Sequence, residues 1–276
     1  PTHAPLVRFA DEALVSTDAG SVVGRLPRQE ARMAPQGFLI GRHRHTEARL
    51  QQTRARREAR AGVAGADAGF EGGEPLEPMR RAMAEHMARA HREIVPVTIH
   101  DEALIMLPDV RALMVQLVRA LVAASRAEPS LNAWYDGDRQ YRKLHDAVHV
   151  GIAVDTVHGL YVPVLHHAEQ LSTDEMAHRI DELKQMAQER RLTASQQSGA
   201  TLTLSNFGSV AGRFATPLVM PPQVAILGTG HLCEVTTVAG DSRKQLPLSL
   251  TVDHRAVTGG EAARFLSVVM ATLSAG

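Results

Sequence analysis

Apolar residues recur along this chain at two spacings, and together the two spacings predict alternating helices and strands. A spacing of three to four residues predicts amphipathic helices over residues 77–92, 110–125, 173–191 and 261–266. Alternating apolar residues predict strands over residues 96–103, 148–155, 161–165, 200–205, 224–228 and 246–252. We therefore expect an α/β fold, in the form of a two-layer sandwich built on a mixed central sheet.

The first predicted helix carries a row of methionines. Met79, Met83 and Met87 recur near helical spacing, and Pro78 suits the first turn of a helix. Methionine is flexible and commonly fills irregular gaps between packed side chains. We therefore expect this row to lie in the hydrophobic core.

The composition of the chain changes sharply near residue 75. Residues 1–26 contain short apolar pieces of strand type, separated by polar residues. Residues 42–60 are dense in arginine and histidine but have no apolar stripe, so a helix there would have nothing to bury. We expect a solvated helix and a basic linker within residues 27–74, and a basic arm that docks on an acidic partner is the alternative.

The overall composition is typical of a globular protein, with 276 residues of which 44% are hydrophobic and 22% are charged. The 30 basic and 30 acidic side chains cancel, so no net field favours a nucleic acid or an anionic membrane as the partner. Cys233 is the only cysteine and cannot form an intrachain disulfide, which favours a reducing compartment.

Targeting and membrane-spanning segments are not visible in the sequence. No apolar run approaches the ~20 residues that cross a bilayer, and the amino end has no basic start followed by an apolar region. We expect a cytoplasmic protein, or an organellar protein if a leader has been removed, and the organelle would be the mitochondrial matrix in a eukaryote. Because the sequence begins at Pro1 rather than at a methionine, we also expect a fragment or a processed chain.

A candidate base lies near the carboxyl end, where the last predicted strand stops. His254 follows that strand directly, and Gly259 and Gly260 let the chain turn into the last helix. A strand end is a rigid place for a reactive group, and an imidazole accepts protons near neutral pH, so His254 suits removal of a proton from a hydroxyl or a thiol. The chain has 14 histidines, however, and for any one of them a solvated or hydrogen-bonded imidazole is the simpler interpretation.

A family resemblance singles out His254. Together with Asp253, Arg255 and Thr258, it resembles the active-site segment of the dihydrolipoamide acyltransferases, the E2 components of 2-oxo acid dehydrogenase complexes. Further blocks that resemble the family follow in the family's order, at residues 79–84, 94–96, 150–155, 159–164, 198–208, 214–218 and 221–228. The resemblance therefore covers residues 75–276 and implies a catalytic domain with a chloramphenicol acetyltransferase-like fold.

The resemblance also implies a reaction, the transfer of an acyl group between a dihydrolipoyl thiol and coenzyme A. At matching positions, His254 is the base that deprotonates the attacking thiol, and Ser205 donates a hydrogen bond to the tetrahedral oxyanion. Without the family, Ser205 is more simply a strand-end serine that caps a backbone group. Thr258 stands where the family usually has an aspartate that organises the active-site loop, and we expect it to be a structural substitute.

Two accessory parts of the family are not recognisable in this chain. Lys143, Lys184 and Lys244 are its only lysines and lie in the acyltransferase-like part, so we expect the lysine that carries lipoamide to lie elsewhere. Residues 1–26 resemble the end of a lipoyl domain, whereas residues 27–74 do not reproduce the domain that binds the peripheral subunits. The resemblance thus implies that lipoamide comes from a missing segment or another chain, with coenzyme A as the other substrate.

The resemblance further implies assembly. The family forms homotrimers in which the histidine of one subunit and the serine of the next share a channel. Trimers can then build a cubic or dodecahedral core that works with E1 and E3 components. The sequence does not choose between a trimer and a larger shell, or among acetyl, succinyl and branched-chain acyl groups.

Two other functions stay open at this point. Thr258 and the missing accessory parts are compatible with a weakly active or inactive scaffold component of such a complex. A stand-alone acyltransferase of the wider superfamily, such as chloramphenicol acetyltransferase, usually has paired histidines in this motif. Asp253 in front of His254 argues against that third function.

Overall fold

The computed structural model describes residues 12–16, 22–27, 73–105, 110–236 and 242–275. Strands β1 (Glu12–Ser16) and β2 (Val22–Pro27) form an antiparallel hairpin within a unit that spans Pro1–Pro75. Residues 42–60, where we predict a solvated helix, lie outside the described residues. The other elements belong to a second compact unit, Leu76–Gly276.

The second unit alternates helices and strands, as the hydrophobic pattern predicts. Its helices are α1 (Pro78–Glu93), α2 (Val110–Ala127), α3 (Thr173–Gln188) and α4 (Gly259–Ala275). Its strands are β3 (Pro96–Ile105), β4 (Ala133–Asp136), β5 (Tyr141–Leu144), β6 (Val150–Ile152), β7 (Val154–Thr156), β8 (Gly159–Tyr161), β9 (Val164–Leu165), β10 (Leu202–Asn206), β11 (Ala225–Thr229), β12 (Cys233–Thr236) and β13 (Ser242–Asp253). None of the described helices has the length and hydropathy needed to span a bilayer.

Seven of these strands form one mixed sheet, which confirms the expected fold class. The order is β12–β13–β11–β10–β6–β9, and β3 runs along the other side of β13. Strand β10 is parallel to both β6 and β11, whereas the remaining pairs of this sheet are antiparallel. Two short hairpins, β4–β5 and β7–β8, lie outside this sheet.

Alternate residues of β13 lie on the two faces of the sheet. Leu248 and Leu250 are buried in the main core together with helix residues such as Phe265. The intervening Ser249 and Thr251 are also buried but polar, and they mark the face away from that core. Helices α2 and α4 pack on each other, and α4 packs on β3, so α2 and α4 form the second layer.

The strand that we predict over residues 148–155 is divided. The Ile152 N–H donates to the Pro163 carbonyl at 2.8 Å, and the Ala153 N–H donates to the Leu204 carbonyl at 2.9 Å. Ala153 belongs to no strand, and β7 pairs with β8 outside the main sheet, so the chain leaves that sheet between β6 and β7. Apolar alternation predicts extended backbone but not such a change of partner.

The prediction that the methionine row of α1 lies in the core was wrong. Met79 is 38% exposed, Met83 and Met87 are half-buried, and Ala90 is the only buried residue of this helix. Helical spacing shows that one face of a helix is apolar, but it does not show what covers that face. Among the described residues this apolar row is only partly covered.

Candidate active site

His254 begins the turn that follows β13. Its backbone N–H donates to the Val95 carbonyl at 2.8 Å, which fixes the start of the turn. The ring nitrogen Nδ1 lies 3.0 Å from the Val257 carbonyl oxygen. Because a carbonyl can only accept, Nδ1 carries the proton, and the free lone pair is on Nε2. The exposed imidazole is therefore in a tautomer that can take a proton through Nε2.

Asp253 and Arg255 flank His254 and form an ion pair. Asp253 is 0% exposed, and its Oδ2 lies 2.7 Å from Nη2 of Arg255. Arg255 Nε donates to Oδ1 at 3.0 Å, and the Val95 N–H donates to the same oxygen at 3.3 Å. The hydrogen bond to Asp253 is the main cause that raises the pKa of Arg255. The pair therefore compensates its own charges and ties the turn to the start of β3.

Thr258 caps the first turn of α4. Its hydroxyl donates to Glu261 Oε2 at 2.8 Å, and its backbone N–H donates to the same oxygen at 2.6 Å. In return, the Glu261 N–H donates to the Thr258 hydroxyl at 3.3 Å. This reciprocal pattern is a capping box, which satisfies amide groups that a helix start leaves without partners. Thr258 thus orders the end of the turn without a charge of its own.

Two charged residues beside this turn were missing from the sequence prediction. Arg142 of β5 donates to the Ala256 carbonyl at 2.6 Å, and its Nη1 lies 3.7 Å from Glu261 Oε1. Burial raises the pKa of Glu261, but the hydrogen bonds from Thr258 and the charge of Arg142 outweigh it, so this pKa lies below its usual value. Threonine followed by glutamate three residues later before an apolar run is a sequence signal that could have identified Glu261. Arg142 has no such signal, because it lies 114 residues from the carbonyl that it contacts.

Ser205 lies near the end of β10 and is half-buried. Its hydroxyl makes no hydrogen bond within the described part of the chain, so it does not act there as the strand-end cap that we considered. Across the sheet, Ser205 is paired with Gly228 of β11, and Gly228 is paired with Ser249 of β13. Ser205 and Ser249 are therefore at the same level of the sheet.

The structure does not bring Ser205 and His254 together in one chain. Asp253 lies four residues beyond Ser249 along β13, which corresponds to about 13 Å at the usual strand rise. Two strand-to-strand spacings of about 4.8 Å add to this separation. His254 comes after Asp253, at the opposite end of the strands from Ser205. One chain therefore cannot present both side chains to the same small reacting group.

The described residues contain no group of three or more histidine, cysteine or acidic side chains placed to hold a metal ion. A cavity of about 520 Å³ opens beside Arg255, and its lining includes Arg92, Glu93, Tyr135 and Asp136. Side chains of both charges line this cavity, so its lining does not indicate a preference for an anionic or a cationic group.

Comparison with known sequences gives a family match. The family described as 2-oxoacid dehydrogenases acyltransferase (catalytic domain) matches residues 71–275. The lipoamide acyltransferase component of the branched-chain alpha-keto acid dehydrogenase complex of Pseudomonas putida is 36% identical over 219 residues. The match covers 72% of this chain and 51% of that protein, so the chain spans about half the length of this relative.

Comparison with solved structures agrees with the sequence match. A dihydrolipoamide acetyltransferase of Azotobacter vinelandii, studied for the role of a serine, a histidine and an asparagine in its catalytic mechanism, has a TM-score of 0.69 at 28% identity. The cubic core of a pyruvate dehydrogenase multienzyme complex also has a TM-score of 0.69, at 29% identity. Each match covers 73% of this chain and 90% of the other chain.

Proposed function

The chain belongs to the family of 2-oxoacid dehydrogenase acyltransferase catalytic domains, and we propose that it transfers an acyl group between a dihydrolipoyl thiol and coenzyme A. The hydrogen bond from His254 Nδ1 to the Val257 carbonyl carries this proposal, because it leaves Nε2 free to accept a thiol proton. In the Azotobacter enzyme the asparagine of interest stands four positions after the histidine, as Thr258 stands four positions after His254. This spacing supports a catalytic assignment for His254 and a supporting assignment for Thr258.

The reaction begins with proton transfer from the attacking thiol to Nε2 of His254. An unperturbed alkyl thiol has a pKa of about 8.5, so an imidazole can generate the thiolate without being a strong base. The thiolate attacks the thioester carbon, and the carbonyl oxygen takes the negative charge. The hydroxyl of Ser205 donates a hydrogen bond to that oxygen. When the intermediate collapses, its bond to the departing sulfur breaks, and the imidazolium returns the proton to that sulfur.

A complete site requires two copies of the chain, and we propose a homotrimer in which His254 of one subunit meets Ser205 of the next. The separation of about 13 Å along the strands within one chain supports this arrangement. The apolar row on α1 supplies surface that a neighbouring copy can cover. The cubic core of the solved relative supports a larger core built from trimers, and E1 and E3 components are the proposed partners.

The acyl carriers in this proposal are lipoamide and coenzyme A, and both act as substrates. Lys143, Lys184 and Lys244 lie on β5, α3 and β13, inside the folded second unit. A lipoyl arm has to travel between active sites, which a lysine in such an element does not allow. We therefore propose that the lipoyl group reaches His254 from a lysine of a separate lipoyl-bearing segment or chain.

The proposal is tested by acyl transfer from acetyl-, succinyl- and isobutyryl-coenzyme A to free dihydrolipoamide. We expect one acyl group to be preferred, and we expect His254→Ala to lower the rate by about 10²- to 10⁴-fold. His178→Ala, a surface position on α3, is the matched control and should keep the rate. If the folded chain transfers none of the three groups above the His254→Ala background, the catalytic proposal fails and a scaffold function replaces it.

A further inference from the structure

The peptide unit between Val257 and Thr258 is held at both of its ends. Its carbonyl oxygen accepts the proton of His254 Nδ1 at 3.0 Å, and its N–H donates to Glu261 Oε2 at 2.6 Å. The C=O and N–H of a trans peptide lie in one plane and point in opposite directions. A group that fixes the direction of the N–H therefore also fixes the direction of the carbonyl.

We infer that Glu261 is a positioning residue for the base, and that it acts on His254 through the Val257–Thr258 peptide. The inference rests on the proposed acyl transfer and adds a residue to its machinery. Glu261 does not touch the reacting atoms. Its carboxylate orients the peptide, and the peptide keeps the His254 ring turned so that Nε2 remains the basic nitrogen.

The charge of Glu261 adds to this geometric effect. A carboxylate that accepts the Thr258 N–H polarises the peptide, which makes the Val257 carbonyl a stronger acceptor. When His254 takes up the thiol proton, its Nδ1–H becomes a charge-assisted donor to that carbonyl. The interaction is thus stronger in the transition state than in the ground state, so it should increase kcat without changing KM.

Arg142 holds Glu261 and the neighbouring peptide in place. It donates to the Ala256 carbonyl at 2.6 Å and lies 3.7 Å from the Glu261 carboxylate. The Val257 N–H donates to the Asp253 carbonyl at 3.0 Å. Successive peptides of the turn therefore each have a fixed partner. Glu261 is the partner of the peptide whose carbonyl contacts the His254 ring.

The same capping motif occurs at the start of α3, far along the chain from this turn. There the Ser172 hydroxyl and backbone N–H donate to Glu175 Oε2 at 2.6 and 2.9 Å, and the Glu175 N–H donates to the Ser172 hydroxyl at 3.3 Å. No imidazole in the described part of the chain binds the Leu171 carbonyl, which precedes this cap. Glu175 is therefore a matched control that caps a helix without positioning a base.

The test compares Glu261→Ala, Glu261→Gln and Glu175→Ala in the full chain, by thermal unfolding and steady-state acyl transfer. We expect Glu261→Ala to lower kcat about 10-fold at unchanged KM, because the ring loses its fixed orientation. Glu261→Gln should recover most of kcat, since its amide oxygen still accepts the Thr258 N–H. Glu175→Ala should lower Tm, as the loss of a helix cap does, but leave kcat unchanged.

The conservative variant gives a second readout, which also decides the matter if Glu261→Ala fails to fold. Glu261→Gln keeps an acceptor for the Thr258 N–H but loses the charge, so it should lower kcat by less than about 10-fold at unchanged KM. A loss of Tm in both alanine variants without a change in kcat, or a loss in Glu261→Gln that lies in KM rather than in kcat, overturns the inference. A wild-type rate that does not depend on His254 overturns the proposed function itself, and this inference with it.

Discussion

The two ends of the central sheet are built differently. At one end, His254 is fixed by the contact of its ring with the Val257 carbonyl, by the Asp253–Arg255 pair and by the cap at Thr258. At the other end, the Ser205 hydroxyl has no hydrogen-bond partner among the described residues. A base has to hold one tautomer, whereas an oxyanion donor has to keep its proton free for a charge that exists only in the transition state. The proposed site therefore combines a rigid half with an open half.

Among the variants that compare the two ends of the sheet, the largest expected effect tests the open half. Ser205→Ala should lower kcat by about 10²- to 10³-fold, which is typical of losing one oxyanion donor. It should leave Tm nearly unchanged, because the hydroxyl has no partner to lose in the described structure. Steady-state kinetics and thermal unfolding measure the two effects.

The control for Ser205 is Ser198→Ala, a serine that precedes β10. It should change neither kcat nor the acyl group that is preferred. A Ser205→Ala protein with wild-type kcat would remove the serine from the mechanism, and the two ends of the sheet would then not be halves of one site.

The next effect tests the rigid half. Asp253→Asn should lower the free energy of unfolding by about 2 kcal/mol, because it leaves the Arg255 charge without its buried partner. It should also lower kcat, since the turn that carries His254 loses an anchor. Urea unfolding and acyl transfer measure both, and this joint loss is what distinguishes the rigid end from the Ser205 end.

An exposed ion pair provides the control for Asp253. Asp136 and Arg139 are 3.7 Å apart, with side chains 45% and 84% exposed. Asp136→Asn should change the free energy of unfolding by less than about 0.5 kcal/mol. If both variants are equally stable, the Asp253–Arg255 pair is not an anchor of the turn.

The smallest effect concerns pH, at the same end of the sheet as His254. His149 Nδ1 accepts the His167 N–H at 3.0 Å, and the His166 and His167 rings lie 5.0 and 4.7 Å away. Burial, together with the charges of His166 and His167, lowers the pKa of His149 below 6.5. The unfolded chain therefore binds this proton more readily than the folded chain. The contribution of neutral His149 to the free energy of unfolding is fully present above pH 6.5 and is lost as the pH falls below that value.

The variant His149→Asn keeps an acceptor for the His167 N–H but cannot be protonated. Between pH 8 and pH 5.5, its Tm should fall by roughly 2 °C less than that of the wild type. His178→Ala removes a surface histidine and should behave as the wild type does. Identical pH dependence of Tm in all three proteins would show that His149 is not a source of acid sensitivity.

Much of the fold could be predicted from local patterns, because apolar spacing reports directly on helices and half-buried strands. The strand before His254 and helices α1 and α2 were found this way. Helix α3 ends at Gln188, earlier than expected, and α4 continues to Ala275, beyond the predicted residues 261–266. The hairpin β4–β5 was not predicted. Strand β5 is exposed at every position, so it has no apolar alternation to detect.

The candidate site was only partly predictable, because the topology of the fold sets the positions of its parts. His254 follows a recognisable strand, and Ser205 and Thr258 were identified through family blocks. The distance between His254 and Ser205 depends on strand order and register, which no local pattern encodes. Arg142 reaches the turn from β5, and only the folded chain brings the two together. The methionine row of α1 shows the same limit, since an apolar face does not identify its partner.

The central claim is that each site is shared between two copies of the chain, and a mixing experiment tests it directly. His254→Ala and Ser205→Ala chains, each nearly inactive alone, are co-expressed with different tags, and the mixed assemblies are purified through both tags. In a trimeric ring that contains both kinds of chain, one of the three sites receives an intact histidine from one chain and an intact serine from the next, so about a third of the wild-type rate should return. Mixed assemblies that are no more active than their parents would contradict the account.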